Sequence, residues 1–366
     1  MEHPGNVAID GFEDRGAVER LARAATFGGQ HAWLQLSHCG RQALAICNPQ
    51  PPAPSVVRLE QGDAFGEPWA MTEGDILEVI ARMARAAKIG QEAGFTGVQV
   101  HGAHGYLVSQ FLSPRTNLRT DDWGGTLENR ARFLLETVRT VRDAVGPDYP
   151  VSVKLNSTDF QHDGFTLDDC KEVVRWLNEV SLDLLEISGG NFEQMVMIAG
   201  DSASGDARPV VKESTRVREA FFLDYASAVA PVAAMPLMVT GGFRTRAAME
   251  EAVTAGGVDV VGLGRPMCAE PDLPRRLLEG RADGLRRNYE RDLVRQFDRD
   301  VSSDGVEAVK RGTSLLWFTH QLSVMGKDRA PDVELSLVDA LEQVADHEKR
   351  LLASWEGPHY EPLVEA

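Results

Sequence analysis

The sequence predicts an α/β fold: a TIM-type (β/α)8 barrel with only six of its eight strands visible in the chain, followed by a helical C-terminal extension. Short apolar runs alternate with longer segments of helical periodicity, a pattern typical of repeated βα units in a parallel sheet. Polar residues cluster directly after the apolar runs. Because barrel strands all end at one mouth, whereas the strands of an open sheet end along an edge, this clustering favours the barrel.

The predicted strands are short and almost continuously apolar, as expected for parallel strands that are covered on both faces. They span Ala32–Leu36, Gly97–Val100, Val151–Leu155, Leu182–Ile187, Pro236–Thr240 and Val258–Leu263. The helices predicted around them span Arg15–Phe27, Asp75–Ala93, Leu127–Val145, Leu167–Val180, Arg216–Ala228 and Arg246–Ala255. Thr72 and Thr166 each precede an Asp by three residues, which is the spacing of a capping box at the start of a helix.

Two domains are predicted. Residues 1–280 form the barrel, and residues 281–366 form a helical extension that packs on it. Segments of helical periodicity in the extension span Asn288–Phe297, Val306–Met325 and Leu335–Trp355. Neither the N-terminal segment nor the extension contains a convincing strand pattern. The two further strands that a closed barrel needs are therefore either absent or would precede Met1.

The chain is acidic, with 38 Lys and Arg against 55 Asp and Glu and a formal net charge of −17. This balance argues against a nucleic-acid-binding protein and against docking on anionic membranes. The sequence has neither a long apolar run nor a secretory leader pattern, and its cysteines are scattered without a CxxC motif. These features predict a cytoplasmic protein without a disulfide framework or a metal site.

His101, His104 and Tyr106 follow the second predicted strand in the sequence HGAHGY. Two imidazoles at a strand end can converge on one oxygen atom, where their N–H groups would polarise a carbonyl and stabilise enolate charge. A tyrosine ordinarily keeps its proton at neutral pH and can act as a general acid. The alternatives are a histidine pair that caps turns and a metal site. The spacing alone leaves the turn-capping alternative open, whereas a metal site lacks an evident third ligand.

Glycines follow the last two predicted strands, in the segments Thr240–Phe243 (TGGF) and Gly262–Pro266 (GLGRP). Glycine lets backbone N–H groups approach a phosphate, and Arg265 adds a planar fork of donors. Phosphate sites of barrels commonly lie after the last two strands. Tight βα turns would also favour glycine, but two such loops in succession favour a phosphate site.

Gln35 and Lys154 stand inside apolar strands, where a buried polar group without a partner is costly. A polar ligand in the barrel mouth would satisfy both side chains, and pairing with other barrel side chains is an equally good explanation. The polar segment Asn191–Ser214 is either a lid over the mouth or a solvated connection.

Five motifs together resemble the Old Yellow Enzyme family of flavin-dependent ene-reductases. They are QLSHCGRQ (Gln35–Gln42), HGAHGYLVSQFLSPRTNLRTDDWGGTLENR (His101–Arg130), VKLNSTDF (Val153–Phe160), TGGF and GLGRP. The resemblance covers about residues 4–275 in order, and the second motif is long and specific. It implies a (β/α)8 barrel that holds FMN noncovalently at its C-terminal mouth and takes NADH or NADPH as reductant.

The resemblance also implies a role for each candidate residue. Gln35 would hydrogen-bond the pyrimidine edge of the flavin, and Lys154 would stabilise the anionic reduced flavin near N1 and O2. The FMN phosphate would be held by Gly241, Gly242, Gly264 and Arg265. His101 and His104 would bind the carbonyl or nitro oxygen of a small-molecule activated alkene, and Tyr106 would protonate the α-carbon of that alkene. The implied reaction is a ping-pong hydride transfer.

The chain departs from the family at its start. Members normally begin with a first strand, a first helix and a second strand, and the resemblance here begins only near Pro4. We therefore expect the functional polypeptide to begin upstream of Met1. The alternative function is a truncated, non-catalytic barrel remnant without bound flavin. A homo-oligomer is compatible with the sequence, which does not determine the oligomeric state.

Overall fold

The computed structural model describes residues 6–9, 14–59, 63–193, 220–300 and 307–354. Its strands are β1 (Trp33–Leu36), β2 (Pro52–Ala53), β3 (Trp69–Ala70), β4 (Gly97–Gly102), β5 (Val151–Asn156), β6 (Leu184–Ser188), β7 (Leu237–Thr240) and β8 (Val260–Gly262). Its α-helices are α1 (Arg15–Ala25), α2 (Glu73–Ala93), α3 (Leu107–Leu112), α4 (Leu127–Val145), α5 (Leu167–Leu177), α6 (Leu223–Val229), α7 (Arg246–Thr254), α8 (Arg265–Ala269), α9 (Leu273–Leu278), α10 (Tyr289–Asp300), α11 (Glu307–Met325) and α12 (Leu337–Ser354).

Six strands form one parallel sheet in the order β1-β4-β5-β6-β7-β8, and β2 pairs with β3 in a separate two-stranded sheet. A doubly wound sheet reverses its strand order at a switch point, whereas a barrel keeps the order of the chain throughout. The observed order is therefore that of a barrel. The predicted fold class, six barrel strands followed by a helical C-terminal extension, is confirmed.

The outer face of the sheet is apolar because helices cover it. Val100 on β4, Val153 on β5 and Ile187 on β6 are fully buried. Helices α2 and α4 pack against each other; α2 also contacts β1 and β4, and α4 contacts β4 and β5. Complete burial of a side chain of this size stabilises the fold by about 1.5–3 kcal/mol relative to its exposure. This packing fixes the strands whose ends carry the candidate site.

Several helix ends match the sequence predictions. Helix α4 spans the predicted residues Leu127–Val145. Thr72 and Thr166 both form capping boxes, in which the threonine side chain accepts the backbone N–H of the Asp three residues later and that Asp accepts the threonine N–H. Helix α2 ends before Gly94, whose φ of 102° is left-handed and favours glycine.

Other boundaries differ from the predictions. Strand β4 continues to Gly102 because His101 and Gly102 keep their pairing with β5. Helix α6 begins at Leu223, later than predicted, and residues 216–219 of the predicted helix lie outside the described residues. Residues 194–214 of the predicted lid also lie outside them.

The C-terminal extension packs on helix α8 through a hydrophobic cluster. Its members are Cys268, Ala269, Tyr289, Leu293, Trp317, Phe318, Leu337 and Ala340. The indole of Trp317 also donates a hydrogen bond of 3.0 Å to the carbonyl of Leu335, which joins α11 to the segment before α12. Trp355, the last residue of the predicted final helix, lies outside the described residues. The domain boundary at residue 280 stays a prediction.

Glu270 ties the end of the barrel to the extension. Its carboxylate is almost completely buried and pairs with the guanidinium of Arg276. It also accepts the backbone N–H of Arg286 at 2.9 Å and the hydroxyl of Tyr289 at 3.0 Å. Burial and the nearby Glu270 charge raise the pKa of Tyr289 to about 12. A buried carboxylate with these partners is expensive to disturb, because its loss leaves Arg276 buried with less charge compensation.

We therefore predict that Glu270→Gln lowers the free energy of unfolding by about 3 kcal/mol, since one charge of a buried pair is removed. Chemical denaturation followed by tryptophan fluorescence measures the change. The control is Glu279→Gln, which removes an exposed carboxylate paired with Arg281 and should change stability by less than about 0.5 kcal/mol. Equal effects of the two substitutions would contradict the role assigned to Glu270.

Candidate active site

The end of β4 and the turn that follows it place His101, His104 and Tyr106 together. The His101 and His104 ring centroids are 5.1 Å apart in an edge-to-face arrangement. The His101 and Tyr106 ring centroids are 4.9 Å apart. The structure thus brings together the three side chains that the HGAHGY motif singled out.

His104 has an unusual backbone conformation, with a left-handed φ of 62°. A non-glycine residue keeps such a conformation only where its surroundings enforce it. The backbone N–H of His104 donates to Oδ1 of Asn156 at 3.1 Å, and His104 forms an isolated parallel bridge with Asn191. These contacts from the ends of β5 and β6 hold the turn in place.

The hydrogen bonds of the two imidazoles are asymmetric. Nδ1 of His101 accepts the backbone N–H of Ala103 at 3.2 Å, so its proton must be on Nε2. Nε2 of His104 lies 2.6 Å from Oγ of Ser188, a buried residue at the end of β6. Among the described residues, Nε2 of His101 and Nδ1 of His104 have no hydrogen-bond partner and are available to a ligand.

Both histidines are held in the neutral form. Burial, reinforced by the charge of Lys154, lowers the pKa of His101 from 6.5 to about 3. Burial, with His101 and Lys154 as further causes, also lowers the pKa of His104 well below its ordinary value. A neutral imidazole has one N–H donor and one acceptor, so each ring can donate one hydrogen bond to a ligand oxygen.

Sequence reasoning did not assign a role to Asn156 or Asp159, which support this turn. The amide of Asn156 donates to Asp159 at 3.1 Å and to the carbonyl of Gly190 at 2.9 Å. Asp159 also accepts the backbone N–H of Phe165, and burial raises the pKa of its carboxyl. The available signal was the polar sequence NSTD directly after a strand.

A chain of polar side chains crosses the inner face of the sheet. The amide of Gln35 donates to Gln99 at 2.7 Å, and the amide of Gln99 donates to Glu186 at 2.9 Å. Glu186 also forms an ion pair of 3.0 Å with Lys154. We call Gln35, Gln99, Lys154 and Glu186 the polar layer. Gln99 and Glu186 were missed from the sequence, although each interrupts an apolar strand as Gln35 and Lys154 do.

Aromatic side chains lie beside Tyr106. The ring of Phe192 is centred 5.9 Å from that of Tyr106 and 6.1 Å from that of Phe65. The segment that carries Phe192 is anchored by a largely buried ion pair of 3.1 Å between Arg41 and Glu193. The arrangement is an apolar wall next to polar hydrogen-bonding groups, which is typical of a small-molecule site.

The two glycine loops follow β7 and β8, which are neighbours in the sheet. Gly241 and Gly242 have left-handed φ angles of 107° and 85°. A Cβ atom added to Gly241 or to Gly264 would meet no atom within 4 Å, so open space lies over the backbone of both loops. Arg265 follows directly as the first residue of α8.

These loops fit a phosphate group. The open backbone of the glycines and the guanidinium of Arg265 are the donor set that phosphate recognition uses. The buried hydroxyl of Thr240 has no hydrogen-bond partner among the described residues and is available to a polar ligand. Within the described ranges, no group of three or more His, Cys, Asp or Glu side chains is arranged to hold a metal ion. No described helix is long and apolar enough to cross a membrane.

Comparison with known proteins places the chain in a family. Residues 9–284 match the model of the NADH:flavin oxidoreductase / NADH oxidase family. The NADH-dependent flavin oxidoreductase nadA of Aspergillus parasiticus is 39% identical over 268 residues, which are 72% of this chain and 58% of that protein. The NADH-dependent flavin oxidoreductase iliE of a Neonectria species is 38% identical over 270 residues, 69% of this chain and 35% of that protein.

A NADPH dehydrogenase of Bacillus cytotoxicus is 30% identical over 261 residues, 70% of this chain and 68% of that protein. The share of a relative that the chain spans therefore varies from about a third to about two thirds.

Solved structures of other proteins are also similar to this chain, and two of them illustrate the likeness. A 2-naphthoyl-CoA reductase in complex with 2-naphthoyl-CoA has a TM-score of 0.63 and 30% identity, over 73% of this chain and 40% of that chain. An old yellow enzyme homologue from Zymomonas mobilis has a TM-score of 0.63 and 23% identity, over 78% and 77% of the two chains, and shows the shared fold. The chain belongs to the NADH:flavin oxidoreductase / NADH oxidase family, the Old Yellow Enzyme family that its motifs indicated.

Proposed function

We propose that the protein is an FMN-dependent oxidoreductase that reduces activated alkenes, such as α,β-unsaturated carbonyl or nitro compounds, with NADH or NADPH. The observation that carries the proposal is the neutral pair His101 and His104, with ring nitrogens available beside Tyr106 and an apolar wall. A small-molecule substrate and a cytoplasmic location are parts of the same proposal.

The residues of the chain would hold FMN at two places. The phosphate would lie on the loops of Gly241, Gly242, Gly264 and Arg265, where the backbone is open. The flavin ring would lie over the polar layer, with Gln35 and Lys154 at its pyrimidine edge. When bound, FMN would supply the hydride transfer, for which no amino-acid side chain is suited.

The histidines would bind the oxygen of the substrate. His101 carries its proton on Nε2, because its Nδ1 accepts the N–H of Ala103. His104 can donate from Nδ1 if the hydroxyl of Ser188 donates to its Nε2, and the distance of 2.6 Å allows that bond. Two preorganised donors on one oxygen stabilise the negative charge that develops there when the alkene is reduced.

Tyr106 would donate a proton to the α-carbon of the substrate. Its ring lies next to His101, and therefore next to the proposed oxygen site. Phe192 and Phe65 would shield this place from water and pack on the apolar part of the substrate. The reductant and the alkene would bind at this one site in turn, which gives ping-pong kinetics.

Uptake of FMN is the first test. We expect the purified chain to retain FMN through gel filtration and to bleach anaerobically with NADH or NADPH. A protein that retains no FMN would support the alternative, a non-catalytic barrel without flavin.

Lys154→Gln should make the reduction of bound flavin less favourable by about 1–2 kcal/mol, because a positive charge is lost. Lys154→Arg keeps the charge and should restore the midpoint potential, which is the quantity to measure.

Tyr106→Phe separates the two halves of the reaction. We expect alkene reduction to slow by about 10²–10⁴-fold, because the proton donor is lost, while flavin reduction by NADH changes little. Anaerobic stopped-flow absorbance measures both steps. The matched control is Tyr149→Phe, which removes a hydroxyl bonded to the carbonyl of Phe95 and should leave the alkene step unchanged. Equal slowing of both steps in Tyr106→Phe would contradict the role of proton donor.

The depressed pKa of His101 predicts a pH dependence of stability. Between pH 6.5 and about 3 the unfolded chain binds a proton at His101 that the folded chain does not bind. The free energy of unfolding should therefore fall as the pH falls, by about 1.4 kcal/mol per pH unit for one such group. His101→Asn should reduce this slope in urea denaturation between pH 6.5 and 4.5, while His38 and His104, whose pKa values burial also lowers, keep their contributions. A slope equal to that of the wild type would contradict the burial of a neutral His101.

A further inference from the structure

The arginines beside the glycine loops already face a carboxylate. Oε1 of Glu290 lies 2.5 Å from Nη1 of Arg265, and Oε2 of Glu290 lies 3.8 Å from Nη2 of Arg244. The side chain of Glu290 is mostly buried, at 18% exposure. A pocket at this place is lined by residues of both loops and of the extension, including Gly242, Phe243, Arg265, Asn288 and Glu290.

Glu290 comes from the C-terminal extension, outside residues 9–284 that match the family. It is the second residue of helix α10, and its neighbour Tyr289 fixes the start of that helix. Tyr289 donates to the buried Glu270 and stacks on Trp317 with ring centroids 6.3 Å apart. The packing of the extension therefore holds the Glu290 carboxylate next to the two arginines.

A carboxylate in this position uses the same donors as a phosphate. Its two oxygens are directed to two guanidinium groups, and arginine binds carboxylate and phosphate oxygens with the same fork of N–H donors. A phosphate dianion that entered the pocket would meet the charge of Glu290 as well as that of Arg265. The two negative charges would repel each other, and the repulsion is stronger in a partly buried pocket than in water.

We propose that Glu290 is a built-in competitor for the phosphate group at the glycine loops. The extension thereby sets how strongly the chain prefers FMN to unphosphorylated riboflavin, because a bound phosphate must displace Glu290 from Arg265. This proposal rests on the proposed function, since it takes the pocket to be the FMN phosphate site.

The test compares the wild type with Glu290→Gln, which keeps the shape of the side chain and removes its charge. Quenching of flavin fluorescence gives the affinities for FMN and for riboflavin. We expect Glu290→Gln to bind FMN about tenfold more tightly, a gain of about 1.4 kcal/mol, and riboflavin with unchanged affinity. The control is Glu250→Gln, which removes an exposed partner of Arg246 in the neighbouring helix α7 and should alter neither affinity.

A double-mutant cycle checks that the effect passes through Arg265. The gain in FMN affinity from Glu290→Gln should be smaller in an Arg265→Gln background, because the contested donor is then absent and only the direct repulsion between Glu290 and the phosphate remains. Unchanged or weaker FMN binding by Glu290→Gln would overturn the proposal and would mean that Glu290 positions Arg265 instead of competing with the ligand. An equal gain for riboflavin would also overturn it.

The two proposals can fail separately. If the wild type and Glu290→Gln bind neither flavin, the proposed function fails. Inorganic phosphate is then the probe, and thermal unfolding is the measurement. Greater stabilisation of Glu290→Gln than of the wild type by phosphate would support competition at Arg265. Equal stabilisation would overturn it.

Discussion

The pairing of β4 with β5 is the constraint on which the candidate site depends. In this register His101 lies opposite Lys154, and Val100 lies opposite Val153. Successive residues of a strand face opposite sides of the sheet. A slip of one residue would therefore turn the polar side chains towards the helices and the valines towards the inner face. The buried valines, packed under α2 and α4, make that slip costly. Packing on the outer face of the sheet therefore places the polar side chains of the candidate site on the inner face.

The inner face of the sheet contains groups that are expensive to bury. A buried ion pair such as Lys154 with Glu186 contributes little net stability, because the desolvation of both charges offsets their attraction. Its cost is reduced by the amides of Gln99 and Gln35, which extend the hydrogen-bonded chain to the first strand of the sheet. The polar layer also supplies the positive charge that, together with burial, keeps His101 neutral.

Charge balance extends from the polar layer to the glycine loops. Lys154 is paired with Glu186, and Arg265 is paired with Glu290. The two acids differ in origin, because Glu186 lies on a barrel strand and Glu290 on a helix beyond the residues that match the family. The hydrophobic cluster of Trp317, which anchors the extension on α8, thus also helps to place a carboxylate beside Arg265.

The sequence by itself predicted the six strands of the main sheet in their order, several helix boundaries and the candidate residues of the site. The capping boxes of Thr72 and Thr166 and the full length of α4 follow from local interactions, which neighbouring residues specify. The tertiary structure alone decided the partners. Glu186 is 87 residues from Gln99 in the chain, and Glu290 is 25 residues from Arg265. No local pattern encodes such pairs, because they form only when strands and helices distant in sequence pack together.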